Sequence, residues 1–216
     1  EFYNISGKKF SKSDGVSTSI DTILETVHVD CLRYYLARTA PENGDSDFDY
    51  QDMIHTVNTD LVGKLSNFMY RIQTIVYRNL TSNQVQVITC AECKLFLKEC
   101  LDDVTEIRNH YSRKSPKKVT ETIVHMFQKA NQFCDTQKPW NSIKEPNSNA
   151  YDVLKVCLDV IYIFGICLNP IMPTLSCRIL ELIGRHNELI EFGLLEKPYD
   201  ILHVTKPEMF LKRLDV

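Results

Sequence analysis

Apolar residues recur at intervals of three and four along most of this chain, which is the period of an amphipathic helix. The clearest stretch begins after Asp49, a residue suited to capping a helix, and runs to about Leu80. Its apolar face consists of Met53, Ile54, Val57, Leu61, Leu65, Phe68, Ile72 and Ile75. The same period over residues 19–38 predicts an earlier helix, and a polar stretch over 41–47 separates the two.

Four more helices follow from this pattern and from residues that start or stop helices. Their predicted spans are about 89–112, 115–134, 149–168 and 174–184. Ser115 and Pro116 suit the N-cap and first position of one helix, and Gly184 suits the position just after another. Residues 2–6 predict a short strand, and no later segment reads as a convincing strand.

This order of elements predicts a mainly α fold, an antiparallel bundle of about five helices with short connections. We expect three parts: a leading segment over residues 1–48, the helical bundle over 49–190, and a C-terminal tail over 191–216 that packs back on the fold. The longest apolar stretch, Val160 to Leu168, is far shorter than the ~20 residues of a membrane span, so we expect a buried helix and no membrane partner.

Charge and cysteine content narrow the possible functions. The net charge of −3 argues against a general polyanion binder, so any nucleic-acid contact requires a local patch or base stacking. Cys157, Cys167 and Cys177 lie in apolar helical context, which is typical of buried thiols. Cys90 and Cys93 form a C-x-x-C without a second half-site, which favours structural thiols over a metal site. We therefore expect no metal and a reducing, cytosolic compartment.

A loop rich in glycine, lysine and serine runs from Gly7 to Gly15. Backbone N–H groups, hydroxyls and mobile ammonium groups of this kind hold polyphosphates. The spacing is not that of a Walker loop. Candidate phosphate-binding residues are Lys9, Ser11, Lys12 and Ser13.

Two polar groups are candidates for base recognition. Asn67 and Arg71 lie four residues apart on one face of the long helix, away from its apolar stripe. An amide and a guanidinium both make paired hydrogen bonds to bases, although such a face is more often simply solvated. The single tryptophan, Trp140, follows Pro139 at a helix end and either stacks on an unpaired base or fills the core.

A basic run with no acidic residue crosses the turn between two predicted helices. It consists of Arg108, His110, Arg113, Lys114, Lys117 and Lys118. A solvated turn is the favoured interpretation, and a phosphate-contact patch is the alternative.

Taken in order, several short segments resemble the methionyl-tRNA synthetase family, of class I. They are Phe10-Ser11-Lys12-Ser13, Asp30-Cys31-Leu32-Arg33-Tyr34-Tyr35-Leu36, Asn58-Thr59-Asp60-Leu61, Asn67 with Arg71, Ala130-Asn131, Pro139-Trp140, Pro170-Ile171-Met172-Pro173-Thr174 and Lys206-Pro207-Glu208-Met209-Phe210. The first resembles the family's KMSKS loop in its eukaryotic cytosolic form, with Phe10 in place of Met. The resemblance extends over nearly the whole chain, and it depends on the order and spacing of these segments, not on any one of them.

The resemblance implies roles for individual residues. Lys12 would stabilise ATP phosphates during formation of methionyl-adenylate, with Lys9, Ser11 and Ser13 assisting. The anticodon-binding residues would be Asn67, Arg71, Asn131 and Trp140, with Trp140 stacking on the first anticodon base. Residues 1–48 would hold the KMSKS loop and a stem-contact-like segment, and 49–190 the anticodon-binding bundle.

The resemblance also implies partners. The full-length enzyme would use ATP with Mg²⁺ and methionine, and it would charge tRNA(Met) by reading a CAU anticodon in the cytoplasm. The family's nucleotide-binding core is not in this chain, so we expect the chain alone to be inactive, without a cofactor of its own, and to be part of a larger protein. Partners among other synthetases are not specified. The alternatives are a non-catalytic helical interaction module and the anticodon domain of a leucine or isoleucine enzyme.

Overall fold

The computed structural model describes residues 3–5, 8–9, 20–79, 88–145, 148–185, 190–196 and 204–215. These residues are mainly helical. The strands are β1 (Tyr3–Ile5), β2 (Lys8–Lys9) and β3 (Ser46–Phe48), and the helices are α1 (Ile20–Leu24), α2 (Val29–Arg38), α3 (Tyr50–Thr56), a π-helical segment (Val57–Ser66), α4 (Asn67–Asn79), α5 (Ala91–Ser112), α6 (Pro116–Gln137), α7 (Pro139–Ser142), α8 (Ala150–Leu168), α9 (Pro173–Leu182) and a 3₁₀ turn (Phe192–Glu196). The predicted helical bundle is confirmed.

A small sheet corrects the expectation that no strand follows residue 6. β1 lies at its centre, antiparallel to β2 and parallel to β3, with Tyr3 opposite Ser46 and Ile5 opposite Phe48. Both added strands are only two or three residues long. Such strands are held by backbone hydrogen bonds and carry too few side chains to show an alternating pattern.

The helix predicted over residues 19–38 is broken into α1 and α2. The break lies at residues 25–28, and α2 starts afresh with His28 as its N-cap, whose Nδ1 accepts a hydrogen bond from the Asp30 N–H at 3.1 Å. The apolar period continues across the break because Ile23, Val27 and Leu32 are all buried in one core. Periodicity alone therefore does not reveal the interruption.

The long helix starts where the sequence predicts. Asp49 is its N-cap, and the Asp52 N–H donates to its Oδ1 at 2.8 Å. Helical backbone then continues without interruption from α3 through the π segment to α4. In the π segment each N–H bonds the carbonyl five residues back, as the Asn67 N–H does with Val62. Such wider turns are rare and often occur at functional sites.

α5 and α6 form an antiparallel hairpin, and α8 packs against both. Pro116 opens α6, which extends three residues beyond its predicted end at Cys134. α9 closes with Gly184 at a φ of +80°, a left-handed conformation that glycine adopts readily. The Gly184 and Arg185 N–H groups bond the carbonyls of Glu181 and Leu180, which completes the predicted helix stop.

The core centres on α8. Every residue from Val160 to Leu168 is buried there, as predicted for this apolar stretch. Within the described part of the chain, no helix combines the length and apolar character needed to cross a membrane.

All eight cysteines are described, and all are free thiols. Cys157 and Cys167 are buried as predicted, whereas Cys177 is exposed. The prediction for Cys177 is wrong because Cys177 lies with Arg178 on the exposed face of α9. The helix buries only the face that carries Leu175, Ser176, Ile179 and Leu180.

The last described segment, residues 204–215, lies against the π segment. Ser66 Oγ donates to the Leu211 carbonyl at 3.0 Å and accepts from the Leu211 N–H at 3.1 Å. The Asn58 amide makes the same reciprocal pair with Leu214, at 2.9 and 2.8 Å. Phe210, the residue before Leu211, is 1% exposed. The boundaries drawn at residues 48/49 and 190/191 stay a prediction.

We expect Asn58→Ala to lower the free energy of unfolding by about 1–3 kcal/mol, because it leaves two backbone groups of Leu214 without partners. Urea unfolding followed by circular dichroism measures the change. Asn109→Ala, at an exposed position on α5, is the matched control and should change stability by less than about 0.5 kcal/mol. Equal stabilities of the two variants would show that these bonds do not hold the C-terminal segment.

Candidate nucleic-acid interface

Three of the four residues predicted to bind an anticodon meet at one end of the bundle. Arg71 lies on α4, Asn131 near the end of α6, and Trp140 on α7. Arg71 Nη2 lies 3.5 Å from Asn131 Oδ1, and the guanidinium carbon lies 5.6 Å from the centre of the Trp140 ring. We call these three residues with Asn67 the Arg71–Trp140 cluster.

Arg71 is held in place by an acidic residue. Its Nη1 donates to Asp135 Oδ1 at 2.5 Å, and the Arg71 side chain is about one third exposed. A guanidinium has five N–H donors in a planar fork, and these two contacts use only part of them. The group is therefore fixed in orientation and still able to donate to a ligand.

Asn131 connects α6 to the long helix. Its Nδ2 donates to the Lys64 carbonyl at 3.1 Å and to the Phe127 carbonyl at 2.8 Å. These bonds orient its Oδ1 toward Arg71. Asn131 therefore positions the guanidinium as well as lying within the cluster.

Asn67 is exposed, one helical turn before Arg71. Its Nδ2 donates to the Gly63 carbonyl at 3.2 Å, inside the π segment. Asn67 Oδ1 remains available as an acceptor, since an amide has both donor and acceptor groups. Asn67 thus belongs to the cluster by its position on α4, and the hydrogen bond of its side-chain amide goes to the π segment.

Trp140 lies at the surface, with 39% of its area exposed. Lys138 adopts a φ of +45° and turns the chain from α6 into α7. Pro139 and Ile143 on either side are buried and anchor this short helix. The indole is displayed by these anchors, which rules out the alternative in which it fills the core.

Sequence reasoning missed Asp135, the residue that fixes Arg71. The signal was present in the spacing, because Asn131 and Asp135 lie four residues apart on α6, as Asn67 and Arg71 do on α4. Two such pairs on helices that face each other predict contacts between them. Which helices face each other is a tertiary fact that one sequence does not reveal.

A groove of about 710 Å³ runs along the π segment from Asn67 toward the C-terminal segment. Its lining includes His55, Asn58, Gly63 and Arg213. The Asn58–Leu214 bonds hold Arg213 at its edge. Of the four cluster residues, only Asn67 lines this groove.

The basic run lies at the opposite end of the α5–α6 hairpin. Gln137 Nε2 donates to Glu92 Oε2 at 2.9 Å, so the end of α6 meets the start of α5. The turn at residues 113–115 therefore lies about 33 Å from Gln137, which is the length of the 22-residue helix α6. His110 pairs with Glu106 at 3.2 Å. The run is not part of the Arg71–Trp140 cluster.

The predicted phosphate-binding residues fall mostly outside the described part of the chain. Ser11, Lys12 and Ser13 are not described. Lys9 belongs to β2, where it pairs with Asn4 of β1. Among the described residues, no group of three or more His, Cys, Asp or Glu side chains is arranged to hold a metal ion.

Two family profiles match the chain. Residues 1–73 match the family described as tRNA synthetases class I (M), which defines the class of protein. Residues 87–192 match the anticodon binding domain of methionyl tRNA ligase, the region that contains Asn131 and Trp140. The chain belongs to the methionyl-tRNA synthetase family.

Individual relatives agree with this assignment. The chain is 32% identical over 192 residues to the methionine–tRNA ligase of Chlamydia trachomatis serovar D, covering 87% of this chain and 34% of the relative. It is 30% identical to that of Thermococcus kodakarensis, covering 85% of this chain and 25% of the relative. The fold matches Mycobacterium tuberculosis methionyl-tRNA synthetase in complex with methionyl-adenylate at a TM-score of 0.86 and 25% identity, over 97% of this chain and 42% of that one. The chain spans about a third of the length of the first curated relatives it matches.

Proposed function

We propose that this chain is the tRNA-reading part of a methionine–tRNA ligase and that it recognises the CAU anticodon of tRNA(Met). The observation that supports this most directly is the Arg71–Trp140 cluster, in which an exposed indole lies beside an oriented guanidinium. Two of its residues lie in the segment that matches the family's anticodon-binding domain.

Each group of the cluster has a chemical task in this proposal. Trp140 stacks on the first anticodon base, which is unpaired in the loop and offers a π face. Arg71 donates to base edges with the N–H groups that Asp135 and Asn131 leave available. Asn67 Oδ1 accepts from a base amino group one helical turn away. Asn131 keeps Arg71 oriented through its bonds to Lys64 and Phe127.

For the whole protein, we propose activation of methionine with ATP and Mg²⁺ followed by transfer to tRNA(Met). Lys12 would neutralise negative charge that develops on the departing pyrophosphate, with Lys9, Ser11 and Ser13 adding donors. We also propose a cytoplasmic enzyme of the eukaryotic cytosolic type. The F-S-K-S form of the loop and eight free thiols support this part of the proposal.

Two other functions make different predictions. A non-catalytic interaction module has no need of a guanidinium fixed beside an exposed indole. A leucine or isoleucine enzyme would read other anticodons, and the matched profile describes the methionyl enzyme. Both alternatives are therefore less well supported than CAU recognition.

Binding of RNA hairpins tests the proposal. We expect a fluorescently labelled hairpin with a CAU anticodon to bind more tightly than the same hairpin with a leucine-type CAG anticodon. Binding should be weak, because the chain carries a net charge of −3. It should fall with salt, because cationic side chains that contact phosphates displace counterions. Equal affinity for the two hairpins would overturn the proposal, and a preference for CAG would favour the leucine-type alternative.

A further inference from the structure

A pair of cysteines lies at the start of α5, at the end of the bundle that carries α7. Cys90 is the N-cap residue of α5, and Cys93 lies in its first turn. The Cys93 side chain is fully buried, whereas Cys90 is partly exposed. The two cysteines stand three residues apart across the helix start. An accessible thiol therefore has a buried partner within bonding reach.

The backbone at Cys90 is held by one carboxylate. Asp152 Oδ2 on α8 accepts from the N–H groups of Thr89 and Cys90, at 2.8 and 2.6 Å, and from the Thr89 hydroxyl at 2.9 Å. This anchor fixes Cys90 at the helix start, next to the free N–H groups of the first turn. The spacing of three residues across a helix start suits the Cα separation that a disulfide needs.

The surroundings of the two thiols shift their pKa values in opposite directions. Burial tends to raise the pKa of Cys90, but the polar groups of Cys93, Asn149 and Glu92 around its sulfur outweigh burial and lower that pKa. Burial raises the pKa of Cys93, and the neighbouring Cys90 raises it further. Cys90 is thus the nucleophile of the pair, and Cys93 stays protonated until it reacts.

We propose that Cys90 and Cys93 are a redox-active pair that forms a reversible disulfide by exchange with a small-molecule disulfide. The Cys90 thiolate attacks one sulfur of that disulfide, which forms a mixed disulfide and releases one small thiolate. Cys93 then loses its proton and attacks the Cys90 sulfur, which closes the protein disulfide and releases the second small thiol. Two protein thiols are oxidised and one small disulfide is reduced to two thiols.

The pair is linked to the segment that displays Trp140. Asn149 Nδ2 donates to Cys90 Sγ at 3.8 Å and to Gln137 Oε1 at 3.3 Å. Gln137 in turn donates to Glu92, which lies between the two cysteines. Gln137 is the last residue of α6, and α7 with Trp140 begins two residues later. Oxidation of Cys90 therefore changes a hydrogen-bond network at the base of α7.

Treatment of the whole 216-residue chain with glutathione disulfide tests the chemistry. The Cys177→Ser background removes the exposed thiol on α9. We expect the folded protein to lose two alkylatable thiols and two hydrogen atoms in mass, with the new bond mapped by peptide mass to Cys90 and Cys93. Retention of all thiols, or a disulfide between any other two cysteines, would overturn the proposal.

Single variants separate the two steps. Cys93→Ser should stop the reaction at a mixed disulfide on Cys90, visible as the mass of one glutathionyl group. Cys90→Ser should not react, because Cys93 is buried. A mixed disulfide on Cys93 in that variant would contradict the assigned order. The mapping in the Cys177→Ser background decides the question if either variant fails to fold.

Fluorescence measures the link to α7 separately, since Trp140 is the only tryptophan. We expect disulfide formation to shift the emission maximum of Trp140 and dithiothreitol to restore it. A chain that carries both Cys90→Ser and Cys93→Ser should show no shift. Emission that stays unchanged while the disulfide forms would overturn the link. This measurement needs no RNA, so its failure is distinct from a failure of the proposed anticodon recognition.

Discussion

Replacement of Trp140 by alanine is expected to weaken binding of a CAU-anticodon hairpin by about 5- to 150-fold, the equivalent of about 1–3 kcal/mol for one stacked base. The indole is 39% exposed, so its removal leaves no buried cavity and the fold should persist. Arg71 would also lose the ring over which its guanidinium lies. Fluorescence anisotropy of the labelled hairpin measures the loss.

Two further variants make this result specific. Trp140→Phe keeps a flat aromatic face and should restore most of the affinity. Tyr77→Ala removes another exposed aromatic ring, 53% exposed on α4, and should leave binding nearly unchanged. If Trp140→Ala binds as tightly as the unaltered chain, the stacking role is wrong. If Tyr77→Ala costs as much as Trp140→Ala, contact with the RNA is not centred on the indole.

Much of the fold follows from local signals in the sequence. Asp49 caps the long helix and Pro116 opens α6, because these residues satisfy or avoid backbone donors within one turn. The apolar run before Asn169 becomes a fully buried helix. The pairing of β1 with β3 joins segments that are far apart in the sequence. Each strand has only three residues, which is too few to show the alternating pattern of a strand.

In the candidate site, too, local features can be read from the sequence and contacts between distant segments cannot. The place of Trp140 after Pro139 at a helix end left an exposed ring and a core position both open, and the structure decides for exposure. The shared face of Asn67 and Arg71 follows from helical spacing. The contact of Arg71 with Asp135 joins residues 64 positions apart and depends on how α6 packs against the long helix. The π segment before Asn67 is likewise absent from the pattern, since its apolar residues fit an ordinary helix equally well.

Replacement of Arg71 by alanine is expected to reduce both affinity and selectivity for the CAU hairpin. Loss of a two-point contact to a base costs about 1–3 kcal/mol in discrimination against a wrong base. Arg71→Lys keeps the positive charge but not the planar fork, so it should retain salt-dependent affinity and lose selectivity. Parallel titrations with CAU and CAG hairpins measure the two quantities.

Arg113→Ala is the matched control for charge, because Arg113 is exposed at the far end of the α5–α6 hairpin. It removes one positive charge and should leave the ratio of the two affinities unchanged. Unaltered selectivity in both Arg71 variants would show that the guanidinium only neutralises phosphate. Lost selectivity in Arg71→Lys, with Arg113→Ala unaffected, requires the geometry that Asp135 and Asn131 impose on Arg71. Recognition then depends on the orientation of the guanidinium and not on its charge alone.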